Sequence, residues 1–123
     1  MPAIRNPTAV PVGEMTRDRV RNAIGEDLGE IKDLVVEVET GRVLYAVLSF
    51  GGFLGMGDKW FAIPWEALEF RPAERHFILD VEKERLEQAP GFEKNHWPNM
   101  ADRQWQRDVH AHFRVEPYWE ELA

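Results

Sequence analysis

Two neighbouring segments of the chain are apolar on both of their faces, which constrains the fold more than any other feature. In residues 43–50, VLYAVLSF, one side of an extended strand carries Val43, Tyr45 and Val47, and the other carries Leu44, Ala46, Leu48 and Phe50. Residues 59–65, KWFAIPW, are equally apolar. Strands of this kind are normally covered on both faces. If one face fills the inside of a barrel, something else in the chain, or a second chain, must cover the other.

Turn residues divide the middle of the chain into short strands. ETGR places Gly41 where a tight hairpin turn needs a positive φ, and Leu34, Val36 and Val38 before it alternate with polar residues, which predicts a strand with one solvent-exposed face. Pro64 should end the strand that begins near Lys59. WEALEF and HFILDV add further strands. The spacing predicts an all-β fold of six short strands, a barrel or a sandwich.

The 123 residues are predicted to form one domain with two flanking segments. Residues 1–15 contain three prolines and are expected to form an extended or disordered arm. Residues 16–82 form the β domain, and residues 83–123 form a C-terminal extension with one or two short helices. KERLEQA is one helix candidate, and NMADRQWQRDVHAHF, with Asn99 as a possible cap, is the other.

The C-terminal extension is rich in aromatic residues, namely Phe92, Trp97, Trp105, Phe113, Tyr118 and Trp119. Each aromatic side chain can bury about 150–250 Å², so such a density seldom stays in solvent. We therefore expect the extension to pack over the outer apolar face of the two central strands, either in the same subunit or in a neighbouring one.

Composition excludes several classes of protein. There is no cysteine, so disulfides and thiolate metal sites are impossible and cytoplasmic residence is expected. The net charge is −7, and the 15 lysines and arginines are scattered, which disfavours nucleic acid and anionic membrane surfaces as partners. No stretch is long and apolar enough for a membrane span, and the N-terminus lacks the pattern of a secretory signal.

Residues 20 to about 82 resemble the PRC-barrel domain, named for the photosynthetic reaction centre. The matching elements are Gly25-Glu26, Leu28-Gly29, Thr40-Gly41-Arg42, Tyr45-Ala46-Val47, and GGFLGMGDK leading into FAIPW. The aromatic extension is similar to that of stand-alone bacterial proteins of this family. The resemblance implies a small six-stranded β-barrel. In relatives such as the reaction-centre H subunit and a ribosome maturation factor, this domain serves binding and assembly rather than catalysis.

The glycine-rich segment SFGGFLGMGDK does not match a phosphate-binding loop. No Ser or Thr follows Lys59, Asp58 would repel an anion, and the segment leads into a strand instead of a helix. Its glycines are expected to turn a sharp corner. Phe53, Leu54 and Met56 could in addition form an exposed apolar tip that contacts a partner or a neighbouring subunit.

Catalytic and metal-binding patterns are weak. His110 and His112 form an HxH pair that would diverge on a helix, and Ser49, the only serine, lies in a predicted strand without a nucleophile elbow. The acidic residues are dispersed over the chain. We expect no enzyme activity, no cofactor and no metal.

The sequence thus predicts a non-catalytic interaction or assembly module that self-associates, as a dimer, and binds a protein partner whose identity the sequence does not give. The expected interaction surface comprises Phe53, Leu54, Met56, Leu44, Leu48, Trp60, Trp105 and Trp119. Two alternatives remain open. One is a peripheral protein associated with a photosynthetic reaction centre. The other is a small-ligand-binding protein with a cleft between the barrel and the C-terminal extension.

Overall fold

The fold is built around one mixed β-sheet with helices at both ends of the chain. The computed structural model describes residues 9–16, 18–50, 59–71, 74 and 76–121. In chain order the elements are α1 (Val12–Met15), β1 (Arg19–Arg21), β2 (Asp27–Val36), β3 (Val43–Phe50), β4 (Lys59–Pro64), a 3-10 turn (Trp65–Ala67), β5 (Leu68–Arg71), β6 (His76–Leu79), α2 (Lys83–Glu87), β7 (Gly91–Phe92), α3 (Arg103–Phe113) and α4 (Tyr118–Glu121).

The sheet contains seven strands in the order β5-β6-β1-β2-β3-β4-β7, and only the β1–β6 pair is parallel. The prediction of six strands is therefore wrong. β1 and β7 have three and two residues, so neither is long enough to show a period-two pattern in the sequence. The β2–β3 hairpin is as predicted, and Gly41 in its turn has φ 75°.

The sheet curls but does not close. Five strand spacings separate β4 from β5 in the sheet order, which is about 24 Å across a flat sheet. The chain covers this step from Pro64 to Leu68, through three intervening residues that reach at most about 14 Å. The sheet must therefore bend round on itself. Because no ladder joins β4 to β5 among the described residues, the predicted closed barrel is corrected to an open, curled sheet.

The two central strands are buried on both faces, as their sequences predict. In the β3–β4 register, Tyr45, Val47 and Ser49 lie opposite Pro64, Ala62 and Trp60, and together form one face. The other face consists of Ala46, Leu48 and Phe50 with Ile63, Phe61 and Lys59. Every residue from 44 to 50 is buried. We call the face that carries Tyr45 and Trp60 the outer face.

β2 departs from the predicted alternation because its pairing with β3 is irregular. The register shifts between Ile31 and Asp33 and again between Val35 and Val36, and each shift changes which side chains face the core. As a result Val36 is 43% exposed, and Val38, which lies in the turn, is 95% exposed. Gly29 has φ 124°, and a Cβ there would clash with the backbone oxygen of Ser49, so the close approach of β2 to β3 requires glycine.

The helices are more numerous than predicted. Residues 83–121 contain three helices, α2, α3 and α4, where one or two were expected. In the predicted extended arm, residues 12–15 form a helical turn whose Met15 is buried, and residues 1–8 lie outside the described residues. The cap of α3 is Asp102, whose carboxylate accepts a hydrogen bond from the Gln104 backbone N–H. Asn99 instead accepts one from the Ala101 N–H in the preceding turn.

Candidate interaction surfaces

The outer face of β3 and β4 is covered by the C-terminal extension of the same chain. Helix α3 packs against β4, and the Tyr45 ring meets Trp105 edge-on, with 5.4 Å between ring centroids. The Tyr45 hydroxyl and His110 Nε2 lie 3.0 Å apart, and both residues are buried. These contacts all lie within one chain.

Burial keeps the Tyr45 phenol protonated by raising its pKa. The pKa of Tyr45 is raised far above its ordinary value of 10.0, mainly by burial and further by the nearby Tyr118 and Glu66. The phenol therefore keeps its proton, and its hydroxyl forms a hydrogen bond with His110 Nε2 whose direction depends on the imidazole tautomer. The pair places one directional bond in an otherwise apolar contact.

Helix α4 packs on α3 through a cation–π contact. The Arg103 guanidinium lies 4.1 Å from the centroid of the Trp119 ring, and Arg103 also donates to the Tyr118 hydroxyl over 3.2 Å. The Trp119 ring is 6.1 Å from that of His110. Two residues of the predicted interaction surface, Trp105 and Trp119, are thus engaged within the chain.

A second aromatic cluster lies at the β4–β7 edge of the sheet. Trp97 contacts Trp60 and Phe92, with centroid distances of 6.0 and 5.2 Å. Its indole N–H donates to the Lys94 carbonyl oxygen over 2.8 Å. Because Trp97 is nevertheless 42% exposed, part of this cluster faces solvent.

The structure separates the predicted interaction surface into three groups. Leu44 and Leu48 are buried in the core, so they offer little accessible area in the single chain. Trp60, Trp105 and Trp119 are partly buried in contacts with the C-terminal extension. Phe53, Leu54 and Met56 lie outside the described residues, so their role stays a prediction.

A cleft of about 230 Å³ opens between the β domain and the extension. Its walls are the turn at residues 22–24, the segment at 80–85 and the end of α3 at 112–114. Two reciprocal hydrogen bonds join two of these walls. Arg85 donates to the His112 carbonyl oxygen over 2.7 Å, and His112 Nε2 donates to the Arg85 carbonyl oxygen over 2.8 Å.

The sequence analysis missed the most exposed apolar residue on this cleft, Ile24, which is 81% exposed. The signal was the position of an isoleucine between Asn22 and Gly25, inside a turn pattern whose residues are usually polar. Other large apolar side chains exposed among the described residues are Val12, Val36, Val38 and Trp97.

The two histidines of the HxH pair serve different contacts. His110 bonds Tyr45 on β3, whereas His112 bonds the backbone of Arg85 at α2. Within the described ranges, no three histidine or carboxylate side chains are grouped closely enough to hold a metal ion. Ser49 is buried in β3, opposite Trp60.

Comparison with known proteins gives one family. A model of the PRC-barrel domain matches residues 8–86, which is more than half of the chain. A search of curated proteins finds no match. None of the helices in the described part of the chain has the length and hydrophobicity to span a membrane.

Proposed function

The chain belongs to the PRC-barrel domain family, and from this premise we propose that it is a non-catalytic interaction and assembly module that self-associates as a dimer. The family indicates a protein-interaction module in general. Dimer formation, the absence of catalysis and residence in the cytoplasm belong to the proposal, the last resting on the lack of cysteine in the sequence.

One observation carries the proposal. The chain covers both faces of its central strands with its own residues, yet it leaves large apolar side chains exposed on ordered backbone, with Ile24 and Trp97 at 81% and 42% exposure. Single exposed apolar residues are common, but several on ordered backbone favour contact with another protein surface. Trp105 and Trp119 already pack against other residues of the chain, so the exposed apolar residues are the ones available to contact another molecule.

Sedimentation equilibrium of the full chain, from micromolar to millimolar concentration, tests self-association. The proposal expects a mass of twice 14.3 kDa at the upper end of this range. A mass that stays at 14.3 kDa throughout would contradict it.

The predicted apolar tip supplies a variant for the same experiment. Replacing Phe53 and Leu54 together with Asp should weaken the dimer at least about tenfold, because two acids would enter an apolar contact. The matched control replaces Gln88 with Glu and Asn95 with Asp, two exposed positions, which adds the same charge without removing apolar surface. Equal dissociation constants for the two variants would exclude the tip from the interface.

The reaction-centre alternative rests on analogy with the H subunit alone. Co-purification of the chain with reaction-centre polypeptides from native membranes would support it. Isolation of the chain from a host that lacks photosynthesis would eliminate it.

A further inference from the structure

Ile24 is held as a fixed apolar projection beside the cleft. Its turn is closed by four hydrogen bonds between Asn22, Gly25 and Glu26, two between backbone groups and two through the Asn22 amide. The Asn22 Oδ1 accepts from the Glu26 N–H over 2.9 Å, and its Nδ2 donates to the Glu26 carboxylate over 2.7 Å. Asn22 is buried, so the anchor of the turn is inside the fold while Ile24 faces outwards.

Hydrogen bonds join two walls of the cleft beside Ile24, and part of its lining is apolar. The Arg85–His112 bonds join α2 to α3, and Val115 closes the end of α3 by donating its N–H to the His110 carbonyl oxygen. Val81 and the buried Phe113 supply apolar surface. A volume of about 230 Å³ lies below the roughly 300–1,000 Å³ typical of sites for drug-sized ligands, and suits an inserted side chain better.

The projection and the cleft share one patch of surface, since Ile24 itself forms part of the cleft wall. If two molecules are related by a two-fold axis that passes between Ile24 and the cleft, Ile24 of each molecule lies over the cleft of the other. Isologous interfaces have this reciprocal form, in which the same patch of each copy contacts its counterpart. Because the turn and the walls are already ordered, little conformational entropy would be lost on association.

The rim of the cleft carries charges of both signs, which favours a second copy of this chain as the partner over a molecule with charges of one sign only. Arg85 and Arg114 are cationic, whereas Asp80 and Glu82 are anionic. Among the described residues, Asp80, Glu82 and Arg114 form no ion pair within the chain. Two molecules with a net charge of −7 repel each other at long range, and a contact patch that carries both signs allows the cations of one copy to face the acids of the other.

We propose that the chain dimerises through this patch, with Ile24 of each copy inserted into the cleft of the other and the cations of one rim facing the acids of the second. The inference rests on the proposed self-association and assigns its surface.

The test compares Ile24→Glu with Val38→Glu by sedimentation equilibrium. Val38 is a matched control, because it is an exposed β-branched residue in another turn and the substitution adds the same charge. Ile24→Glu should weaken the dimer at least about 100-fold, since each copy would lose the apolar side chain that fills the other's cleft and would have to desolvate a carboxylate in its place, whereas Val38→Glu should stay close to the wild-type dissociation constant. Circular dichroism and urea unfolding of the dilute proteins verify that both variants are folded.

A second set of variants exchanges the charges of two residues at the rim of the cleft. Asp80→Lys and Arg114→Glu should each weaken the dimer, and the double variant should recover most of the loss, because the rims would again carry both signs. Weakening without recovery would contradict a rim that faces its own copy.

The failures are distinguishable. A wild-type dimer that Ile24→Glu leaves unchanged overturns the assignment of the surface but not the self-association, and so does a dimer weakened only by the Phe53 and Leu54 substitutions. A wild-type chain that stays at 14.3 kDa overturns both. Saturable binding of a small molecule or of a different protein in the cleft of a monomeric chain likewise assigns the cleft another occupant and overturns the inference.

Discussion

At the scale of single residues, the bond between Tyr45 and His110 is the most specific contact between the sheet and its cover. Most of this contact is apolar, and the hydrophobic effect that drives such packing is non-directional. A buried donor and acceptor that must meet each other select one position, because leaving either unpaired costs more than the bond itself contributes. The pair therefore sets where α3 lies on the outer face.

Removal of the Tyr45 hydroxyl tests this role. Tyr45→Phe removes the hydroxyl that forms the hydrogen bond with the buried His110 Nε2, and should lower the free energy of unfolding by about 1–3 kcal/mol, measured by urea denaturation. Tyr118→Phe is the control. The Tyr118 hydroxyl bonds the exposed Arg103, which water can solvate, so we expect a loss of less than about 1 kcal/mol. Equal losses in the two variants would show that the Tyr45 hydroxyl has no special role.

Tyr45 also predicts a pH dependence. Its pKa is raised in the folded state above the ordinary value of 10.0, so its contribution to stability is complete below about pH 10 and is lost as the pH rises towards the folded pKa. The difference in unfolding free energy between wild type and Tyr45→Phe should therefore shrink above pH 10, by up to about 1.36 kcal/mol per pH unit. Urea titrations of both proteins between neutral pH and pH 11 give this difference, in which other titrating groups largely cancel. A difference that stays constant above pH 10 would contradict the burial of the phenol.

At the scale of elements, a strand can be predicted from the sequence where many consecutive residues carry the apolar pattern. β3 and β4 have eight and six residues that are apolar except for Ser49 and Lys59, so both their strand conformation and their two-sided burial could be predicted. Prediction from the sequence fails for β1 and β7, which have only three and two residues and become strands through their ladders, β1 with β2 and β6, and β7 with β4. The shifts in β2 are equally non-local, since they depend on the register with β3.

The residue that caps the start of α3 likewise could not be predicted from the sequence. Asn99 and Asp102 are both acceptable cap residues, and composition alone does not choose between them. The structure assigns the cap to Asp102.

This assignment gives a prediction. Asp102→Ala should lower the free energy of unfolding by about 1 kcal/mol, because it leaves the Gln104 N–H without its acceptor. Asn99→Ala, which removes only an exposed turn contact, should cost less than half as much in the same urea titration. The reverse order would place the start of the helix at Asn99.

The candidate surfaces were less accessible to sequence reasoning than the fold. Apolar residues that cover the core and apolar residues that face solvent look alike in a sequence, so Leu48, which is fully buried, and Trp60 were predicted to share one surface. Ile24 was missed because a single isoleucine in a turn gives no periodic signal. Its exposure follows from the Asn22–Glu26 hydrogen bonds, which only the folded turn makes visible.

At the scale of the whole molecule, three parts form one folded unit. They are the open sheet, the short β4–β5 connection and the C-terminal helices that cover the sheet. The three-residue connection from β4 to β5 bends the sheet, and the bend brings the inner faces of the strands together as a core. This core does not include the outer face of β3 and β4, which α3 and α4 of the same chain cover. The family match ends at residue 86, so most of this cover lies beyond the matched domain although it completes the burial of its central strands.

Hydrogen exchange of the full chain, followed by mass spectrometry at a concentration where the protein is monomeric, tests this cover most directly. If α3 closes the outer face of β3 within one chain, the amides of α3 and of β3 should open together, with protection that does not change on further dilution. Rapid exchange of α3 while β3 stays protected, or protection of α3 that rises with protein concentration, would show that the helix is not part of the same folded unit or is supplied by a second molecule.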